Sequence, residues 1–293
     1  MTATAPFPHE GNPHAIGPSR RHPLMSRDRA EGPLTRTRGG SAGSRDGMRE
    51  PTLVAVAHGS RDPRHPRTVA ELAATIRQRR PDLRVEAAFL DLSVPRLPDV
   101  LYRLAAEGVR RVVAVPLLLT PAYHVRTDLP RLLRRARQTH PRLEVSAAAA
   151  LGPSPELVAA LERRLREAEV WPGDPTVGVV LGTAGTSDPA AQTAIERVGQ
   201  AWAASGWAGV ECAYASAGGP DVVEAAARLR LSGARRLVLA PYVLAPGVLH
   251  DRLVAGARAA RLDAIAPVLG AAPEVAELVV RRYEEIALLT ATA

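Results

Sequence analysis

The chain has 293 residues, room for two domains of ordinary size. One cysteine, Cys212, excludes an internal disulfide and any CxxC metal or redox site, and the 38 basic residues are all arginine, which excludes a P-loop lysine and a Schiff-base lysine. The net charge is +8, but aromatic residues make up only 3% and no basic stripe with interleaved aromatics appears, so an acidic small molecule is expected as partner rather than nucleic acid.

Residues 1–50 hold six prolines, seven glycines and eight arginines with no periodic apolar pattern, a composition that cannot bury enough surface to offset chain entropy. A disordered basic arm is expected there, with Met48 an alternative start just before the first strand. The arm has no secretory h-region and too many acidic and proline residues for a transit peptide, and no run in the chain approaches the roughly 18 apolar residues of a membrane span. A cytoplasmic protein without membrane attachment is the expectation.

From Pro51 onward apolar strands alternate with amphipathic helices, the rhythm of a parallel sheet. Strand 53–57 is followed by a helix over about 66–80 with Val69, Leu72, Ala73 and Ile76 at helical spacing. Strand 84–90, helix 98–107 closed by Gly108, strand 111–119, helix 128–138, strand 143–149 and helix 155–168 complete a first unit. The apolar runs 112–119 and 237–249 read as buried strands, the second broken by Pro241 and Pro246. Trp171 to Pro175 is a linker by composition.

The second half repeats the first. Gly185, Asp188 and Pro189 stand 126 residues after Gly59, Asp62 and Pro63; Tyr214 and Pro220 stand 125 residues after Phe89 and Pro95, as do Gly233 after Gly108 and Pro241 after Pro116. The expected organisation is therefore an arm over 1–50, a first repeat over 51–172 and a second over 173–293, each a small parallel sheet flanked by helices. The cleft between them is the default site. The copies disagree where chemistry is possible: His58 becomes Ala184, Asp91 becomes Ser216 and His124 becomes Leu249, with His250 one place beyond, where a locally extended loop is expected to point its ring away from the position Leu249 holds. On this reading the first repeat holds the metal ligands and the second lacks them.

His58, Asp91 and His124 each fall at or just beyond the carboxyl end of a predicted strand, where ligands bind in open α/β sheets. Two imidazoles and a carboxylate suit a divalent ion such as Fe²⁺, Co²⁺, Ni²⁺ or Zn²⁺, with a coordination position left open for reaction. The alternative for Asp91 is a turn cap. Gly59 and Ser60 are candidates to offer backbone N–H groups to a carboxylate, although turn formation explains them as well. Arg61, beside His58, is a candidate to pair with an anionic substrate, and the arginines from Arg126 to Arg137 are either a substrate-steering run or a solvated face.

The strand ending in His58-Gly59-Ser60-Arg61, the carboxylate at Asp91 with Pro95, and the run from Pro116 through Thr120, Tyr123 and His124 to Asp128 together resemble the CbiX-type sirohydrochlorin chelatases, the ATP-independent class II chelatases, in their long two-repeat form. The resemblance implies a class II chelatase-like fold acting as a monomer through its internal repeat. It implies His58 and His124 as holders of the incoming metal with Asp91 between them, although the family usually has a glutamate there; Gly59, Ser60, Arg61, Tyr123 and Arg126 are the candidates to meet the tetrapyrrole. The metal, Co²⁺ or Fe²⁺, is then a substrate, for cobalamin or sirohaem biosynthesis. Neither nucleotide nor iron–sulfur cluster is expected. A metal or tetrapyrrole carrier using the same cleft is the alternative. A histidine phosphatase is disfavoured, because Ala57 stands where that chemistry needs an arginine before the histidine.

Overall fold

Six consecutive buried residues, Thr52–Ala57, form β1 at the interior of a first sheet, and their small or β-branched side chains suit a strand covered on both faces. The structure, a computed structural model, describes residues 50–120 and 127–291. Residues 1–49 of the predicted arm, and with them Tyr123, His124 and Arg126, lie outside the described residues.

β1 pairs in parallel with β2 (Val85–Phe89) and β3 (Arg111–Pro116), and β3 with β4 (Glu144–Ala147), in the order β2-β1-β3-β4. The connecting helices are α1 (Arg64–Arg79), α2 (Leu97–Ala106), α3 (Leu129–Thr139) and α4 (Pro155–Glu167). The second half repeats the scheme with β5 (Val177–Thr183), α5 (Pro189–Ala203), β6 (Gly209–Tyr214), α6 (Val222–Leu231), β7 (Arg236–Tyr242), α7 (Val248–Ala259), β8 (Ala264–Ile265) and α8 (Pro273–Ala291), ordered β6-β5-β7-β8. The equivalence reaches single hydrogen bonds: Phe89 N–H donates to the Pro95 carbonyl at 3.0 Å, and Tyr214 N–H to that of Pro220 at 2.9 Å.

Local chemistry accounts for the helices. α1 buries Val69, Leu72, Ala73 and Ile76, the stripe its spacing predicts. α5 opens on Asp188, whose carboxylate accepts from Ala190 N–H, followed by Pro189. α6 opens on a full capping box between Asp221 and Glu224.

The two long apolar runs are not strand throughout. β3 ends at Pro116 and β7 at Tyr242, and 248–249 already belong to α7. Pro241 is tolerated inside β7 because the odd-numbered residues of that strand face β8, and β8 ends at Ile265, before it reaches the proline.

Three apolar clusters hold the fold. α2 and α3 seal the outer face of the first sheet and α6 and α7 that of the second, while a larger central cluster joins the inner faces of both. The repeats exchange their last helices across this centre. α8 lies against α1 and β3 of the first repeat, and α4 reaches β7 and the α5 side of the second. Tyr283 of α8 is buried and donates to the Pro51 carbonyl at 2.6 Å, Glu284 pairs with Arg80 at 2.6 Å, and Glu274 pairs with Arg163 of α4 at 2.7 Å. Trp202 of α5 donates through Nε1 to Glu162 of α4 at 3.3 Å. Two units consecutive in sequence are therefore interlocked in space.

Candidate active site

The carboxyl ends of β1, β3, β5 and β7 converge on a cavity of about 380 Å³. His58, Gly59 and Ser60 enter it from the end of β1, Leu117 to Thr120 from β3, Thr183 to Thr186 from β5, and Tyr242 to Gly247 from β7; His65 on α1, Ile195 on α5 and Val248, Leu249 and His250 on α7 complete the wall. A cleft at the carboxyl edge, closed by both repeats, is where the strand pattern places it.

His58 is aimed by the turn that follows it. Gly59 adopts φ +99°, and a Cβ there would meet the Asp91 carbonyl oxygen at 1.7 Å, so only glycine lets the β1 and β2 loops approach this closely. Asp91 N–H donates to the His58 carbonyl at 2.9 Å. Ser60 N–H donates to Ser93 Oγ at 3.0 Å, and that hydroxyl donates back to the Ser60 carbonyl at 2.8 Å. The Ser60 N–H expected to face a substrate carboxylate is thus spent within the turn. Gly185 repeats the device in the second half at φ +89°.

The structure does not bring the Asp91 carboxylate to His58. Asp91 is exposed, is not part of the cavity wall, and pairs with Arg96 at 3.1 Å. Arg61 is exposed and also outside the wall. Arg131, Arg134 and Arg135 lie on the exposed side of α3, and Arg137 donates to the Val145 carbonyl of β4 at 2.5 Å, so this run serves the surface and the sheet.

His250 corrects a sequence expectation. An extended loop would turn its ring away from the position Leu249 holds, but α7 begins at Val248, and on a helix adjacent residues lie about 100° apart, so both border the cavity. Its Nδ1 lies 3.3 Å from Asp251 Oδ1, and Asp251 is clasped by Arg64 of α1 at 2.5 Å. Arg64 also grips Asp62 at 2.6 Å, which holds that carboxyl at about 2. A polar clasp therefore crosses from one repeat to the other at the cavity border.

His65 is a residue the sequence reading missed. It sits in the first turn of α1 on the cavity wall, its proton affinity lowered first by burial and then by the neighbouring charge of His58. The signal was available: a short βα turn brings the start of the next helix back beside the strand end, so a histidine seven places after His58 returns to the same cleft. Among the described residues no three His, Cys, Asp or Glu side chains are grouped closely enough to hold a metal ion. None of their helices is long and apolar enough to cross a membrane.

The model of the CbiX family matches residues 52–168 and 178–286, one match on each repeat. The chain belongs to the CbiX family. Among relatives of this family member, a protein named sirohydrochlorin cobaltochelatase from Priestia megaterium is 28% identical over 207 residues, which cover 69% of this chain and 67% of that one. One named sirohydrochlorin ferrochelatase, from the same organism, is 26% identical over 57% of this chain and 63% of its own length. The match thus spans about two thirds of each relative. Among solved structures, SirB from Bacillus subtilis with Fe³⁺ superposes with a TM-score of 0.70 at 22% identity, covering 82% of this chain and 97% of that one. A CbiX described as the terminal enzyme for biosynthesis of siroheme in denitrifying bacteria gives 0.59 at 21%, covering 80% and 98%. These likenesses establish the shared two-unit fold of the class II chelatases.

Proposed function

We propose that the chain is a sirohydrochlorin chelatase, a lyase-class enzyme that inserts Co²⁺ or Fe²⁺ into a carboxylate-rich tetrapyrrole without ATP, for cobalamin or sirohaem biosynthesis. The observation that carries this reading is a histidine, His58, aimed by a glycine turn into a cleft that both repeats of a CbiX-family chain enclose. Relatives named for both metals support Co²⁺ and Fe²⁺ alike as substrates.

Insertion exchanges two pyrrole protons for one M²⁺, so the site must loosely hold an ion and receive protons. Neutral imidazoles do both. His58 and His124 are the proposed holders of the incoming metal, on the first repeat, 51–172; Ala184 and Leu249 leave the second repeat, 173–293, without equivalents. Asp91 contributes through its backbone to the placing of His58, and Arg61, Tyr123 and Arg126 are proposed to meet the substrate. A cleft closed within one chain supports action as a monomer, and a lysine-free sequence supports independence from nucleotide. A cytoplasmic location is part of the same reading.

The test is anaerobic mixing of sirohydrochlorin, metal and protein while absorbance is followed. An enzyme converts the macrocycle at substoichiometric protein, whereas a carrier changes the spectrum only in proportion to protein. His58→Ala is expected to lower turnover by about 10² or more with the fold intact. A variant as active as wild type would remove His58 from the site.

A further inference from the structure

Insertion releases two pyrrole protons, and the cavity wall limits what can receive them. Among the described residues the wall has no carboxylate, and the groups on it able to take a proton near neutral pH are three imidazoles, His58, His65 and His250. His58 is the proposed holder of the ion, and a ring nitrogen whose lone pair binds a metal cannot take a proton at the same atom. His65 is a poor acceptor, because burial and the neighbouring charge of His58 lower its proton affinity. His250 differs from both. It sits in the first turn of α7 with its side chain 16% exposed, and its Nδ1 lies 3.3 Å from Asp251 Oδ1. Arg64 of α1 donates to both oxygens of that carboxylate, at 3.2 and 2.5 Å, and holds it below the usual carboxylate range. An ionised carboxylate only accepts hydrogen bonds, so Nδ1 carries the proton of the neutral ring and Nε2 keeps its lone pair.

We propose that His250, a residue of the second repeat, is the base of the insertion: its Nε2 takes a pyrrole proton, Asp251 orients its ring, and the first repeat keeps the task of holding the ion. This deepens the proposed function and rests on it. The pyrrole N–H bond breaks, its electron pair goes to the bond between nitrogen and metal, and the proton forms an N–H bond on the imidazole. The resulting imidazolium stands beside the Asp251 carboxylate and passes its proton to water before it takes the second, and nothing is oxidised or reduced. Arg64 comes from the first repeat, so the clasp that crosses the cavity border also keeps the orienting carboxylate ionised. The second copy, which has Ala184 and Leu249 in place of His58 and His124, then serves the reaction through a residue that has no counterpart imidazole in the first.

The test separates proton transfer from metal handling. Full-length wild type, His250→Ala and Asp251→Asn are compared anaerobically for kcat and KM with sirohydrochlorin and Co²⁺, for Co²⁺ affinity, and for the response of the rate to a non-coordinating tertiary-amine buffer at fixed pH and ionic strength. His250→Ala is expected to lower kcat by about 10², with KM and Co²⁺ affinity within about twofold of wild type. Its rate should climb with buffer concentration, because the free amine replaces the missing base, while the wild-type rate stays flat. Asp251→Asn leaves the ring without its acceptor and should lower kcat by about tenfold or more, with the same response to buffer. If His250→Ala loses its wild-type circular dichroism, His250→Gln, closer in size and still polar, carries the same expectation. A folded His250 variant with kcat within about twofold of wild type overturns the assignment. So does a loss of Co²⁺ affinity in step with kcat, which would make the ring a metal ligand, and so does a loss of rate that buffer does not restore. Each of those outcomes leaves a working chelatase. A wild type that does not metallate sirohydrochlorin overturns the chelatase reading and this assignment together.

Discussion

The Asp91 N–H donates to the His58 carbonyl at 2.9 Å while the Asp91 carboxylate is engaged by Arg96 at 3.1 Å. The residue thus acts on the site through its main chain. Asp91→Ala keeps that main-chain bond, so Co²⁺ affinity is expected to stay within about twofold of wild type, measured by anaerobic titration of the folded variant. A tenfold loss would show that the carboxylate leaves Arg96 to meet the ion.

Gly59 makes a sharper prediction. Its left-handed backbone and the contact of 1.7 Å that a Cβ would make with the Asp91 carbonyl leave no room for a side chain, and carbonyl backbone cannot swing aside as a flexible side chain can. Gly59→Ala should destabilise by about 3 kcal/mol or more and displace His58. At Gly185 the corresponding approaches are 2.5 Å to the Ala217 carbonyl and 2.6 Å to Ser216 Oγ, so Gly185→Ala should cost less. Gly233, at φ +93° with nothing within 4 Å, should cost only about 1 kcal/mol. Denaturant midpoints of the three variants check the order.

The helix exchange is tested at Tyr283. Its hydroxyl ties α8 to the residue before β1 through a buried bond of 2.6 Å. Tyr283→Phe removes the donor and leaves the Pro51 carbonyl short of its partner, an expected loss of about 1–2 kcal/mol by denaturant unfolding. An unchanged midpoint would mean that apolar packing alone docks the helix.

His65 sets a pH dependence whose sign follows from its burial. Folded His65 binds its proton less readily than a free histidine near 6.5, so the unfolded chain takes up more protons as pH falls. The contribution is full above about 6.5 and is lost as pH drops toward the lower folded value. His65→Leu should therefore flatten the fall in unfolding free energy just below pH 6.5. Asp62 titrates elsewhere: its carboxyl is held at about 2 by Arg64, so its contribution is present above the usual 3.8 and lost only as pH falls through about 2. A slope below pH 6.5 that is identical in the variant would assign it to other groups.

By itself the sequence determined the repeat, the parallel sheets and the strand end that carries His58. Those follow from local regularities: the period of apolar residues, a glycine or proline at each turn, and a one-to-one echo such as Phe89 with Pro95 and Tyr214 with Pro220. What it left open depends on where neighbours sit. Asp91 lies at the right strand end, yet which way its carboxylate turns is decided by Arg96, a competitor five residues on that no strand pattern ranks. His250 was misplaced because the sequence does not mark where the run after Pro246 stops being extended, and the rotation of its first helical turn selects the rings that reach the cleft. The exchange of α4 and α8 could not be read from apolar spacing, because an amphipathic helix shows that it has a buried face and not whose sheet will bury it. That choice is made by long-range contacts such as Tyr283 with Pro51, and only the tertiary structure contains them.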